Sequence, residues 1–219
     1  MIRCSHIAVG HNGRPVVENI DFTLGDGAFM LLCGRNGSGK STILKTLAGL
    51  LKPLDGSLET DTVSMMPARL QKVKGFSVRQ FVTLGYAPAG NRMDTDSIHE
   101  AMASTGTDLL ADRDISSLSD GEFQKACIAG ALARGGKTIL LDEPTAFLDP
   151  DGKSSVLAAV RRIASEKGIS FIVSSHDIRQ CLPLADIAAG ITPEGVFIIS
   201  EGIGKEDVIK ACFPESCYI

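Results

Sequence analysis

An apolar run at residues 28–33 breaks without a spacer into Gly34-Arg35-Asn36-Gly37-Ser38-Gly39-Lys40-Ser41, and a helical pattern begins at once. No other stretch limits the fold as tightly. A short strand of unbroken apolar residues is buried on both faces, so structure must cover it from either side. The loop that follows fits the phosphate-binding pattern G-x-x-x-x-G-K-[ST], placed between strand and helix as its chemistry requires. Its glycines let the backbone curl so that successive N–H groups and the positive helix end face an anion. In this pattern Lys40 meets the outer phosphate oxygens of ATP and Ser41 ligates Mg²⁺. The expected nucleotide-facing set is Gly34, Arg35, Asn36, Gly37, Ser38, Gly39, Lys40, Ser41 and Thr42.

About 100 residues later a second apolar run, 138–141, ends in Asp142 and Glu143. A buried parallel strand delivers both acids to the edge of the sheet where ligands of open α/β sheets sit. Asp142 there suits Mg²⁺, held through water, and Glu143 suits a base that orients and deprotonates an attacking water.

The rest of the chain alternates in the same way. Residues 2–9 and 16–24 read as extended segments around an Asn12-Gly13 turn, a small antiparallel layer. In the helix after the loop, Ile43, Leu44, Leu47, Ala48 and Leu51 share one face, with Pro53 and Gly56 expected to end it. Residues 62–66 form another strand. Then the pattern turns helical: Ser77-x-x-Gln80 has capping-box spacing, and a second short helix follows at 97–104. With no strands, residues 70–118 interrupt the alternation and read as an inserted helical subdomain, which reaches about residue 135 when the helix at 121–134 is counted. Strand 138–141, helix 152–166, strand 169–174 and helix 178–184 resume βαβ order and imply a parallel sheet. Segments 187–191 and 196–200 flank a turn, and a helix at 205–212 follows. A single α/β domain over residues 1–219 accommodates all of this.

Leu118-Ser119-Asp120-Gly121-Glu122, just before the helix at 121–134, resembles the LSGGQ signature of ABC ATPases. Asp142-Glu143-Pro144-Thr145 with Phe147-Leu148-Asp149 is similar to that family's D-loop, and Ser174-Ser175-His176-Asp177 to the segment carrying its switch histidine. The order of motifs matches over nearly the whole chain. The resemblance implies the P-loop NTPase fold in its ABC-ATPase form, hydrolysis of ATP with Mg²⁺, and a second copy as partner. Ser119, Gly121 and Asp149 of one copy would then face ATP held by the other. It further implies that His176 contacts the γ-phosphate and that His11 stands where the family has an aromatic residue stacking on adenine. Where the family has a metal-sensing Gln, this chain has Pro67-Ala68-Arg69, and Gln71 is the nearest substitute. Residues 77–88 and 118–125 resemble subunits that power import of iron–siderophore, haem or cobalamin, which implies transmembrane permease subunits as further partners. A soluble assembly ATPase, an exporter subunit and a cassette that binds ATP without turnover remain alternatives.

Composition narrows the choice from the other side. Net charge is −4 with no Lys/Arg block, which argues against a nucleic-acid footprint or an electrostatic membrane anchor. No apolar run nears the roughly 18 residues of a membrane span, and the first ten residues lack an apolar signal segment. The expectation is a cytoplasmic chain that meets the membrane only through its permease. The six cysteines form no CxxC pair and read as small buried hydrophobes; a metal or redox site at Cys212 and Cys217 is disfavoured.

Overall fold

The computed structural model describes residues 1–84 and 95–214. An antiparallel sheet holds β1 (Ile2–His11), β2 (Arg14–Leu24) and β4 (Asp55–Thr60) in the order β2-β1-β4. Asn12 and Gly13, with φ of 52° and 73°, turn β1 into β2. Two successive left-handed residues match the twist of a two-residue hairpin. The main sheet adds β3 (Phe29–Gly34), β5 (Val63–Met66), β6 (Thr138–Asp142), β7 (Ser170–Ser174), β8 (Ile187–Ile191) and β9 (Phe197–Ile199). Its order is β5-β6-β7-β3-β8-β9, parallel throughout except for β8 against β9.

Period-two alternation sends the residues of the central strands into two cores. Phe29, Leu31 and Cys33 of β3, Ile139 and Leu141 of β6, and Phe171 and Val173 of β7 face one of them. There they meet α4 (Asp120–Ala133), α5 (Pro150–Lys167) and α7 (Lys205–Cys212). Met30, Leu32, Leu140 and Ile172 point the other way, onto α1 (Lys40–Leu47) and the antiparallel layer. Burying each such side chain contributes about 1.5–3 kcal/mol, so the sandwich of layers rather than helix propensity holds the strands. In α4 the run Ala126-Cys127-Ile128-Ala129 is wholly buried. A helix apolar on every side lies inside the molecule, and α4 is covered by the sheet, by α5, and by α2 (Val78–Leu84) and α3 (Thr95–Thr105).

The α/β order and the antiparallel layer are present as the sequence implies, and among the described residues of 70–118 there are helices and no strand. Several boundaries differ from those expected; the helix at 178–184, for example, is α-helical only over Ile178–Cys181. Helix α1 stops at Leu47, with Gly49 left-handed at φ 71°, well before Pro53. A glycine past the last turn ends a helix because no Cβ opposes that conformation. Strand β4 is an element that the sequence pattern does not announce: its residues are largely exposed, but Thr60, Glu59, Leu58 and Ser57 pair with Ile2, Arg3, Cys4 and Ser5.

The sequence elements around residue 77 are held as their spacing implies. Ser77 N donates to Gln80 Oε1 at 2.9 Å, and Gln80 N to Ser77 Oγ at 3.2 Å. Residues 85–88 of the importer-like stretch, and Cys217, lie outside the described residues. The other five cysteines are buried free thiols. Among the described residues no helix is long and apolar enough to cross a membrane.

Candidate active site

Strands β3, β6 and β7 are aligned so that Leu32 and Asp142 both lie opposite Ser174. The loops leaving these three strands therefore start from one edge of the sheet. A cleft of about 340 Å³ opens there, lined by His11, Val16, Asn36, Gly37, Gly39, Lys40, Ser41, Thr42, Ala68, Asp142, Glu143 and His176.

The loop has the conformation that its glycines permit. Gly34, Gly37 and Gly39 have φ of 147°, 80° and 113°. A Cβ on Gly39 would meet Val17 Cγ2 at 2.9 Å and Val16 Cγ1 at 3.0 Å, so this position demands glycine twice over. Because Gly39 caps α1 with no side-chain bond, the first N–H groups of the helix keep their donor capacity for an anion. Ser38 Oγ is buried without a hydrogen-bond partner in the same loop. Lys40 is 7% exposed, and its Nζ donates to Gly34 O at 2.8 Å and Arg35 O at 3.2 Å. Burial draws its pKa down, opposed by the charges of Glu143 and Asp142.

On the facing strands, Asp142 Oδ1 accepts from Ser174 Oγ at 2.6 Å. Glu143 has a left-handed backbone, φ 53°, a conformation unusual for a side chain of its size. Its N–H donates to Ser174 O and Ser174 Oγ, both at 3.1 Å. Burial pushes the Glu143 carboxyl up to about 7, against the pull of Lys40. Its Oε2 accepts from His176 N at 3.3 Å, whereas Oε1, 3.0 Å from His176 Nε2, is not aligned for a hydrogen bond and is buried without one. Burial, then Lys40, lower the His176 pKa, which favours a neutral imidazole. Asp177 is engaged separately, accepting from Thr145 Oγ1 and Lys153 Nζ, each at 2.5 Å. A carboxylate poised near 7 beside an ammonium and an open helix end is suited to take a proton from water next to a phosphate.

His11 lies at the mouth of the cleft, with Nε2 3.2 Å from Thr42 Oγ1. Ala68 lines the cleft, but Gln71 is exposed and is not part of its lining. Ser119, Gly121 and Asp149 are also outside that lining. Ser119 caps α4 in a complete capping box with Glu122, and Asp149 caps α5 by accepting from Gly152 N at 2.8 Å. Sequence reasoning missed Val16, which needs the β2 register to be found, and Ser174, whose hydroxyl contacts both Asp142 and Glu143.

A family profile described as ABC transporter matches residues 17–146. The chain belongs to the ABC transporter family. It is 31% identical to the achromobactin transport ATP-binding protein CbrD of Dickeya dadantii, over all of this chain and 89% of that one. The cobalamin import ATP-binding protein BtuD of Halobacterium salinarum is 32% identical over 81% of this chain and 50% of its own length. Among solved structures, cbiO1 from Clostridium perfringens, part of the ABC transporter complex cbiONQ, superposes with a TM-score of 0.78 at 26% identity, covering 90% of this chain and 86% of that one. This chain is thus the family's ATP-binding domain, an ATPase that couples hydrolysis to transport, as its motif order implies.

Proposed function

We propose that Lys40 and the open end of α1 hold the phosphates of ATP, that Glu143 is the general base, and that His176 faces the γ-phosphate. The observation that carries this reading is the convergence of Lys40, Glu143 and His176 on one cleft, with Glu143 held near pH 7 in its protonation. Glu143 takes a proton from water, the resulting hydroxide attacks the γ-phosphorus, and ADP leaves with the electrons of the broken P–O bond. Ser41 and Asp142 fit a Mg²⁺ site because both are oxygen donors lining that cleft. Among the described residues no group of three or more His, Cys, Asp or Glu could cage a metal alone, so the nucleotide would complete its shell. Bound there, Mg²⁺ would neutralise developing phosphate charge.

The signature residues Ser119 and Gly121, and Asp149, are not in their own cleft's lining. A second copy would bring them to this ATP, closing two clefts in an antiparallel pair. Glu143→Gln keeps the hydrogen bonds but cannot accept the proton, so it should trap that pair. Size exclusion with ATP and Mg²⁺ should show a dimer and turnover reduced at least about 100-fold; a monomer with full turnover would overturn the assignment.

We further propose that the pair works at the inner face of a membrane, docked on permease subunits that import a metal chelate or a cobalamin-like compound. Relatives named for achromobactin transport and cobalamin import support this class. Co-expression with chelate-type permeases of the same genome, followed by pull-down and ATPase assay in lipid, tests it. Stimulation by none of them would reject the import class and leave the ATPase standing.

A further inference from the structure

The signature segment of this chain carries two carboxylates, and each is paired with a cation outside the segment, Lys72 from the stretch after β5 and Arg113 from just upstream. Lys72 Nζ donates to Asp120 Oδ1 and to Leu118 O, both at 2.7 Å, and lies 5.7 Å from the centre of the Phe123 ring. Arg113 donates to Ser117 O at 3.1 Å and lies 3.6 Å from Glu122 Oε1. Neither cation belongs to the ATP cleft. Their positions are set by a stitch between residues 75–79 and 111–115: Gly75 N donates to Asp114 Oδ2, Ile115 N to Phe76 O, Val78 N to Arg113 O and Arg79 N to Ala111 O. The same short stretch after β5 places Ala68 in the cleft and Lys72 on the signature.

Acids in the first turn of a helix favour the helix, and for the same reason they cancel its attraction for an incoming anion. Glu122 is committed to that charge, because the bond from Ser119 N at 2.8 Å holds its carboxyl below the usual range. An α4 terminus bearing two bare carboxylates would repel a triphosphate. Two cations restore neutrality without disturbing the capping box.

Resting on the sandwich reading above, we propose that Lys72 and Arg113 are positioning residues for the composite site: they neutralise Asp120 and Glu122, so that the α4 terminus of one copy accepts the phosphate of ATP held by the other. Lys72 would then couple the segment beside one cleft to the signature that completes the next.

The test uses the Glu143→Gln chain, in which ATP-dependent dimerisation is read by sedimentation at rising ATP with Mg²⁺. Adding Lys72→Met should raise the ATP needed for half-dimerisation about five-fold, and Lys72→Arg should not. Adding Asp120→Asn to Lys72→Met should bring the requirement back to within about two-fold of the parent. The Lys72→Met defect should also shrink as salt rises from about 0.05 to 0.5 M, because a repulsion is screened and a packing defect is not. Asp120→Asn alone, which keeps the Leu118 contact, should lower the requirement. Unchanged dimerisation of Lys72→Met, no rescue by Asp120→Asn, or a higher requirement in the single Asp120→Asn chain would overturn the proposal while the sandwich stands. If Glu143→Gln itself never dimerises, the sandwich reading falls and this one with it.

Discussion

Ser174 holds Asp142 in a 2.6 Å hydrogen bond at the edge of the main sheet, where the aspartate is 4% exposed and the serine fully buried. The same hydroxyl accepts from Glu143 N, at the residue whose backbone is left-handed. One side chain on β7 thus orients both acids at the end of β6. A hydroxyl can do this because it donates and accepts at once.

Ser174→Ala removes a donor to a buried carboxylate and should cost about 1.5–3 kcal/mol of stability. Turnover should fall further than nucleotide binding does, since Glu143 loses one of its two N–H acceptors at the φ it must keep. Thermal melts beside kcat and ATP affinity check this; equal kcat with a lower melting temperature would make Ser174 purely structural.

The raised pKa of Glu143 gives a pH signature with a definite sign. Between the ordinary value of 4.5 and about 7 the folded chain still holds a proton that the unfolded chain has released. Stability should therefore fall as pH rises through that window, while kcat/KM should rise as the base becomes ionised. Glu143→Gln should flatten the stability profile over the same interval. His176, whose pKa is lowered, slopes the other way in both chains, so a difference in melting temperature between parent and Glu143→Gln that stays constant from pH 4.5 to 7 would contradict the buried carboxyl.

Lys40→Ala should reduce ATP affinity at least about 100-fold, because among the described residues Lys40 brings the only ammonium to the cleft lining, where the proposed role sets it against the β/γ oxygens. The loop carbonyls of Gly34 and Arg35 lose this donor, but the backbone that curls around the phosphates is unaltered. Titration with a fluorescent ATP analogue measures it. Unchanged affinity would remove Lys40 from the binding role.

Gly190→Ala tests packing behind the loop. A Cβ there would meet Cys212 Sγ at 2.3 Å and Cys33 Sγ at 2.7 Å, and Cys33 immediately precedes the first loop glycine. Overpacking of this kind costs about 1–3 kcal/mol. The melting temperature should drop, and Cys212→Ala in the same chain should recover part of the loss.

What the sequence made legible follows from where the physics is local. The phosphate loop, the apolar strands and the Ser77 cap are written in consecutive residues, and each is found in the fold. Strand β4 was hidden because Asp55-Gly56-Ser57-Leu58-Glu59-Thr60 has no apolar alternation; its extended form comes from pairing with β1, a tertiary cause. Helix α1 ends before Pro53 because Gly49 takes the left-handed conformation, inside the run of apolar positions that continues to Leu51. The candidate site was legible as a set of motifs, but not as a geometry. No spacing in the chain tells that Ser174 links the two acids, or that Lys72 reaches Asp120.

The position of β3 has a consequence for how the chain is made. Both neighbours of this strand, β7 and β8, lie far downstream, with Phe29 paired to Phe171 and Met30 to Ile187. During synthesis the strand that carries the phosphate loop therefore emerges early and waits, both edges bare, until residues near 170 and then 190 leave the ribosome. Contacts of such long sequence separation close slowly, and an unpaired apolar strand is the part of a nascent chain most exposed to aggregation. The loop can cradle nothing until that wait ends. A nascent chain stalled before β7 should therefore bind holdase chaperones and fail to retain ATP, whereas one stalled after β8 should retain it.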